Sequence, residues 1–122
     1  MSSTPVQPRP LTDLEAEVVR KLLSTRAPGS SEYLAQVPYA RVVATWGVGS
    51  PSVDVAVEPG AAPASVSMEG ILASGAVSDR NGTPIGEVIL WVEGGRLSGI
   101  EYAWYTEKRP HSLPDPSLIR PL

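Results

Sequence analysis

Apolar positions along this chain change period partway through. Between Thr12 and Leu23 they recur at helical spacing, with Leu14, Val18, Val19, Leu22 and Leu23 on one stripe. Thr12 and Glu15 form a capping box at the start, each side chain placed to serve a free amide of the first turn. Asp13, Glu15 and Glu17 suit the positive end of that helix, Arg20, Lys21 and Arg26 its negative end, and Pro28-Gly29 stops it. Ser30 or Ser31 caps a short second helix, Glu32 to Val37, with Tyr33, Leu34 and Val37 inward and Pro38 as its end.

From Arg41 onward the period becomes two. Arg41 to Trp46 reads as a strand by its β-branched content, Gly47 to Pro51 as a turn, and Ser52 to Val57 as a strand with Val53, Val55 and Val57 on one side. Glu58 to Ser67 is a long loop of small residues and proline, and Met68 to Ser78 a weaker strand interrupted by Gly70 and Gly75. The turn Asp79-Arg80-Asn81-Gly82 leads into a long hairpin, Ile85 to Glu93 and Arg96 to Tyr105, joined at Gly94-Gly95. The pattern predicts an α+β domain: an N-terminal helix and a short second helix packed on an antiparallel sheet of about five strands. Residues 1–10 are polar and proline-bearing and read as a disordered arm; residues 11–105 are the domain; residues 106–122 are an extended Pro-rich tail docking on it through Ser117-Leu118-Ile119.

A regular two-residue turn at Gly94-Gly95 sets Glu93 against Arg96, Val92 against Leu97, Trp91 against Ser98, Ile89 against Ile100, Glu87 against Tyr102 and Ile85 against Trp104. One side then holds Val88, Leu90, Val92, Leu97 and Ala103, the other Ile85, Ile89, Trp91, Ile100, Tyr102 and Trp104. Both sides are apolar and one helix covers only one of them. The second is either the other half of the core or a contact surface for another protein or a second copy of the chain, with Ile89, Trp91, Ile100, Tyr102 and Trp104 as its anchors. Glu87 and Glu101 fall on opposite sides in this register and form no carboxylate pair.

Composition narrows the chemistry. With 122 residues the chain suits one domain, and with no cysteine it holds no disulfide or thiolate site. One histidine, His111, builds no histidine-rich metal centre. A formal net charge of −3 with scattered basic residues argues against general nucleic-acid binding. No apolar run spans a bilayer and the N-terminus lacks an apolar signal core, which leads to the expectation of a cytoplasmic protein.

Motifs for catalysis are weak. Gly47-Val48-Gly49-Ser50-Pro51-Ser52 lacks the lysine and following helix of a phosphate loop. His111 with Asp115 and a serine lies in a proline-rich tail without a nucleophile elbow. No catalytic residue, metal or cofactor is therefore assigned. A ligand site is the alternative, in a pocket lined by Trp46, Gly49, Ser50, Ser52 and Asp54, with Asp54 as an inward acid.

The run Tyr33 to Val43, the turn Gly49-Ser50-Pro51-Ser52-Val53-Asp54, the segment Gly94 to Tyr102 and Leu113-Pro114-Asp115-Pro116 together resemble a family of small uncharacterised actinobacterial proteins. Those relatives carry cysteines in the turn before Pro-Ser, where this chain has Trp46 and Val48, so no thiol or metal role carries over. The resemblance implies a fold and no activity. The sequence reading is thus a non-enzymatic protein-binding module of the immunity or antitoxin kind, with a small-ligand protein or enzyme as the alternative.

Overall fold

The computed structural model describes residues 3–24, 29–65 and 69–122. Strand β1 (Thr4–Pro10) is followed by helix α1 (Asp13–Leu22) and helix α2 (Ser30–Gln36), which runs into a 3-10 turn at Val37–Tyr39. Strands β2 (Ala40–Thr45), β3 (Val53–Val57), β4 (Gly70–Ser78), β5 (Pro84–Glu93) and β6 (Arg96–Trp104) come next, and a second 3-10 turn, Pro116–Leu118, leads to β7 (Ile119–Pro121). The seven strands form one antiparallel sheet in the order β1-β2-β3-β6-β5-β4-β7. The α+β class expected from the sequence holds, with two strands more than expected.

Both extra strands come from the termini. Thr4–Pro10 is not a free arm but an edge strand, because an edge uses only one side of its ladder and so tolerates Pro5, Pro8 and Pro10. Val6 packs against the core from there. At the other edge Ile119–Pro121 pairs with β4, and Ile119 is buried over Gly75. Leu113 enters the core, and Asp115 and Pro116 lie beside Glu17, Arg20 and Lys21 of α1.

Helix α1 starts where the capping box places it: Glu15 N–H donates to Thr12 Oγ1 (3.1 Å), and Thr12 N–H donates to Glu15 Oε1 (2.8 Å). Arg26 and Pro28, expected to shape its end, lie outside the described residues, as does Met68. Helix α2 begins on Gly29, in left-handed conformation (φ 76°), and neither Ser30 nor Ser31 caps it. Val18, Val19 and Leu22 of α1 and Tyr33 of α2 share one buried cluster with Val42, Val53, Val88, Leu90, Val92 and Ile100 of the sheet. Both helices therefore cover the same side.

Arg9 of β1 makes a bidentate contact with Glu15 (2.8 and 3.1 Å), tying the edge strand to the helix N-terminus. Burial pushes the Glu15 carboxyl up, but hydrogen bonds from Arg9 and from the Thr12 amide outweigh it, and the net displacement is downward from 4.5. A depressed acid adds stability above its unfolded value and loses it as pH falls through the folded one. The urea midpoint is therefore expected to decline below about pH 4.5, and Glu15→Gln to flatten that decline. The pair contributes only about 1 kcal/mol, since the Arg9 side chain is 41 % exposed and screened. An unchanged pH profile in Glu15→Gln rejects this assignment.

The hairpin departs from a regular register. Gly94 and Gly95 both take positive φ (60° and 76°), as a type I′ turn requires, and Glu93 pairs with Arg96 and Val92 with Leu97. Ser98 is then an extra residue in β6, so Trp91 pairs with Gly99, Leu90 with Ile100 and Val88 with Tyr102. The bulge exchanges the sides of everything that follows. Ile100 and Tyr102 join the core, 1 % and 5 % exposed, while Glu101 and Ala103 turn to the other side. Glu87 pairs with Ala103 and Ile89 with Glu101, which puts Glu87 and Glu101 on the same side, a correction to the regular register.

Candidate interaction face

The side of the sheet away from the helices is built from residues that the register aligns in rows. One row runs Ala44, Asp54, Gly99, Trp91, Ile71 across β2, β3, β6, β5 and β4. The next holds Glu101, Ile89 and Ser74, and the one after it Ala103, Glu87, Ala76 and Arg120. Both helices and Leu113 pack in the cluster on the opposite side. Ile89 is 9 % exposed, whereas Ile71 is 51 % exposed.

Two indole–carboxylate pairs order this face. Trp46, just past β2, donates from Nε1 to Asp54 Oδ1 (2.9 Å), and Trp91 donates from Nε1 to Glu101 Oε1 (3.0 Å). Ser3 Oγ donates to the other Asp54 oxygen (2.7 Å). Each indole is thereby held by its polar edge, leaving its ring for contact. Asp54, Glu87 and Glu101 occupy the middle of the face; the nearby bases are peripheral, Arg96 at the hairpin end, Arg120 on the last strand, and Arg41 already paired with Glu58 (2.9 Å).

Trp46 walls two open depressions. The larger, about 510 Å³, lies between Trp46 and Trp91 over Gly99, with Asp54, Glu93 and Ser98 around it. The smaller, about 260 Å³, is bordered by Ser50, Ser52, Glu101, Tyr102 and Trp104.

The five expected anchors do not share a surface. Ile89 and Trp91 lie on the uncovered side. Ile100 and Tyr102 are core, and burial pushes the Tyr102 phenol up. Trp104, 37 % exposed, sits at the end of the helix side opposite Gly86. Of the alternative ligand set, Trp46 and Asp54 do come together, and Trp46, Ser50 and Ser52 border the smaller depression. Gly49 (φ 74°) shapes the turn and lines neither depression. Ser52 is buried and structural: its Oγ accepts from the Tyr102 amide (2.9 Å), while its own amide donates to Ser50 Oγ (3.1 Å).

The imagined serine–histidine–aspartate set does not assemble. Asp115 caps the Pro116–Leu118 turn by accepting from Ser117, and His111 is exposed elsewhere, near Arg9 and Thr45. Among the described residues there is no group of three or more metal-binding side chains and no helix long and apolar enough to cross a membrane. Glu93, Ser98 and Gly99 were not among the expected site residues, and Glu101 was expected on the side opposite Glu87. The signal for them was Ser98-Gly99, a small-residue break in an otherwise apolar strand and a common place for a bulge. No family model matches the chain, and no curated protein or solved structure is similar to it.

Proposed function

We propose that this chain is a non-enzymatic protein-binding module of the immunity or antitoxin kind, and that the uncovered side of its sheet is the contact surface. The observation that carries this reading is the pair of indole–carboxylate couples on the side of the sheet opposite the helix-packed core. Trp is the residue most enriched among interface anchors, and here two indoles are pre-oriented, which lowers the entropy lost on binding. The central carboxylates favour a partner with a basic surface. They also disfavour a second copy of this chain, since a two-fold interface sets the same patch against itself, with Asp54, Glu87 and Glu101 facing like charges.

The small-ligand alternative has less support. The five residues expected to line one pocket are divided between two open depressions, Gly49 lines neither, and the Ser50 and Ser52 oxygens already accept backbone hydrogen bonds.

Quantitative capture from a lysate of the source organism tests the proposal. Wild type and a Trp104→Ala control are expected to retain the same partner, and Trp91→Ala with Ile71→Glu to lose it by about tenfold or more at unchanged melting temperature. Identical capture by wild type, the control and the face variant counts against the face. Sedimentation equilibrium is expected to give a monomer.

A further inference from the structure

The larger depression is shaped for one kind of side chain. Trp46 and Trp91 line it together with Gly99, Ser98 and Val55. A methyl group at Gly99 would lie 3.6 and 3.8 Å from Cβ and Cδ1 of Trp91, in ordinary contact, so the fold tolerates a side chain there and glycine leaves the space open. The Asp54 and Glu93 carboxylates stand at its rim. Among the described residues neither takes part in an ion pair, although Arg96 opposes Glu93 across the turn. Both indole N–H groups are already spent on Asp54 and Glu101, so the rings have only their faces and edges to offer an occupant.

Two indoles beside two carboxylates select a cation, and Asp54, whose oxygens each accept one neutral hydrogen bond from Trp46 and Ser3, keeps its charge and a further lone pair on each oxygen. Carboxylates beside the rings favour a cation that donates hydrogen bonds, which a quaternary ammonium group cannot do. Flat indole walls favour a planar cation over a compact ammonium. Guanidinium meets both conditions. Resting on the protein-binding reading above, we propose that the Trp46–Trp91 depression is a receptor for an arginine side chain of the partner. The guanidinium stacks on the indoles and donates to Asp54 and Glu93.

The three tryptophans make the proposal measurable, because Trp46 and Trp91 line the larger depression and Trp104 does not, so Trp104 serves as an internal control. Nitrogen-15 spectra of the whole chain are recorded while N-acetyl-arginine methylamide is added. The indole N–H signals of Trp46 and Trp91 are expected to move saturably, half-way on the order of 10 mM, with that of Trp104 still. The citrulline analogue, neutral and of the same shape, is expected to bind about tenfold more weakly or not at all. Asp54→Asn keeps an oxygen for the Trp46 N–H and is expected to weaken arginine binding by about tenfold without lowering the melting temperature.

Absence of any shift at saturating amide, equal response to citrulline, or equal movement of Trp104 overturns the proposal. If arginine amide fails while face-dependent capture persists, the arginine receptor is wrong and the binding face stands. If arginine amide binds and no face-dependent partner is captured, the receptor stands and the protein-binding reading falls.

Discussion

Replacing Gly86 by valine is expected to cost about 4 kcal/mol and lower the melting temperature by roughly 15 °C. Gly86 lies in β5 opposite Trp104, on the helix side of the sheet. A Cβ there would meet the Ala103 carbonyl oxygen at 2.5 Å, the Tyr102 ring at 2.8 Å and Trp104 Cα at 3.2 Å. Two of those three atoms are backbone of the neighbouring strand and cannot withdraw without breaking the β5–β6 ladder. The third belongs to a buried ring that closes over the glycine and fills the space a side chain would take. Valine adds two methyl groups to a position that has no room for one. Gly75 makes a comparable approach to Ile119 (2.5 Å) and Leu22 (2.9 Å), but those are side-chain atoms that can shift, so its substitution costs less. Gly99→Ala is the matched control, with no contact closer than 3.4 Å, and is expected to melt near wild type. Thermal unfolding followed by circular dichroism decides the matter. A Gly86→Val protein melting within about 3 °C of wild type refutes the close approach.

The same glycine shows how far the sequence could be read. Tyr102 looks like an interface anchor in a regular hairpin, because the alternation places it beside Trp91. Its true place over Gly86 follows from one inserted residue, Ser98, and a one-residue slip moves every later side chain to the other side. Local signals were legible. The capping box of Thr12 and Glu15, the Gly94-Gly95 turn, and the Asp79 to Gly82 turn, where Asp79 accepts from the Asn81 and Thr83 amides, all depend on residues a few positions apart. The terminal strands were not legible, because their pairing partners are distant. Thr4 meets Thr45 and Ile119 meets Val77, and proline-rich composition conceals a strand that needs only one side of its ladder.

The candidate face was half legible for the same reason. That two apolar sides existed and that the helices cover only one could be read from alternation and element count. Which acids accompany the aromatics could not. Asp54 reaches Trp46 across a turn and was readable as an inward acid of that region, but Glu101 reaches Trp91 only because the bulge has turned it round. The bulge thus places a carboxylate beside the Trp91 indole, and the proposed arginine receptor depends on it, since Gly99 is the residue that follows the insertion.

Exchange of Gln36 for leucine is expected to destabilise the fold by about 3 kcal/mol although the two side chains are similar in volume. Gln36 is 1 % exposed at the end of α2. Its Nε2 donates to the Gly95 carbonyl (2.8 Å) and the Ala62 carbonyl (3.2 Å), and its Oε1 accepts from the Leu97 amide (3.0 Å). One side chain thereby ties the second helix to the hairpin turn and to the loop after β3. Leucine satisfies none of these groups. Gly95 keeps the Ala64 amide as a donor (2.8 Å), but the buried Leu97 N–H is left without an acceptor, which is the expensive part. Gln36→Glu separates hydrogen bonding from packing. The introduced carboxylate can still accept from Leu97, but its second oxygen faces two carbonyl oxygens, so the neutral acid, able to donate to Gly95, is the form the fold prefers. The folded carboxyl is then raised above its unfolded value, and the penalty grows as pH rises past the unfolded value. Urea unfolding of Gln36→Glu is therefore expected to lie closest to wild type at about pH 4 and furthest from it near pH 7, whereas Gln36→Leu is displaced equally at both. A carboxyl variant with the same deficit at both pH values means that Gly95 and Ala62 do not press their carbonyls on this side chain.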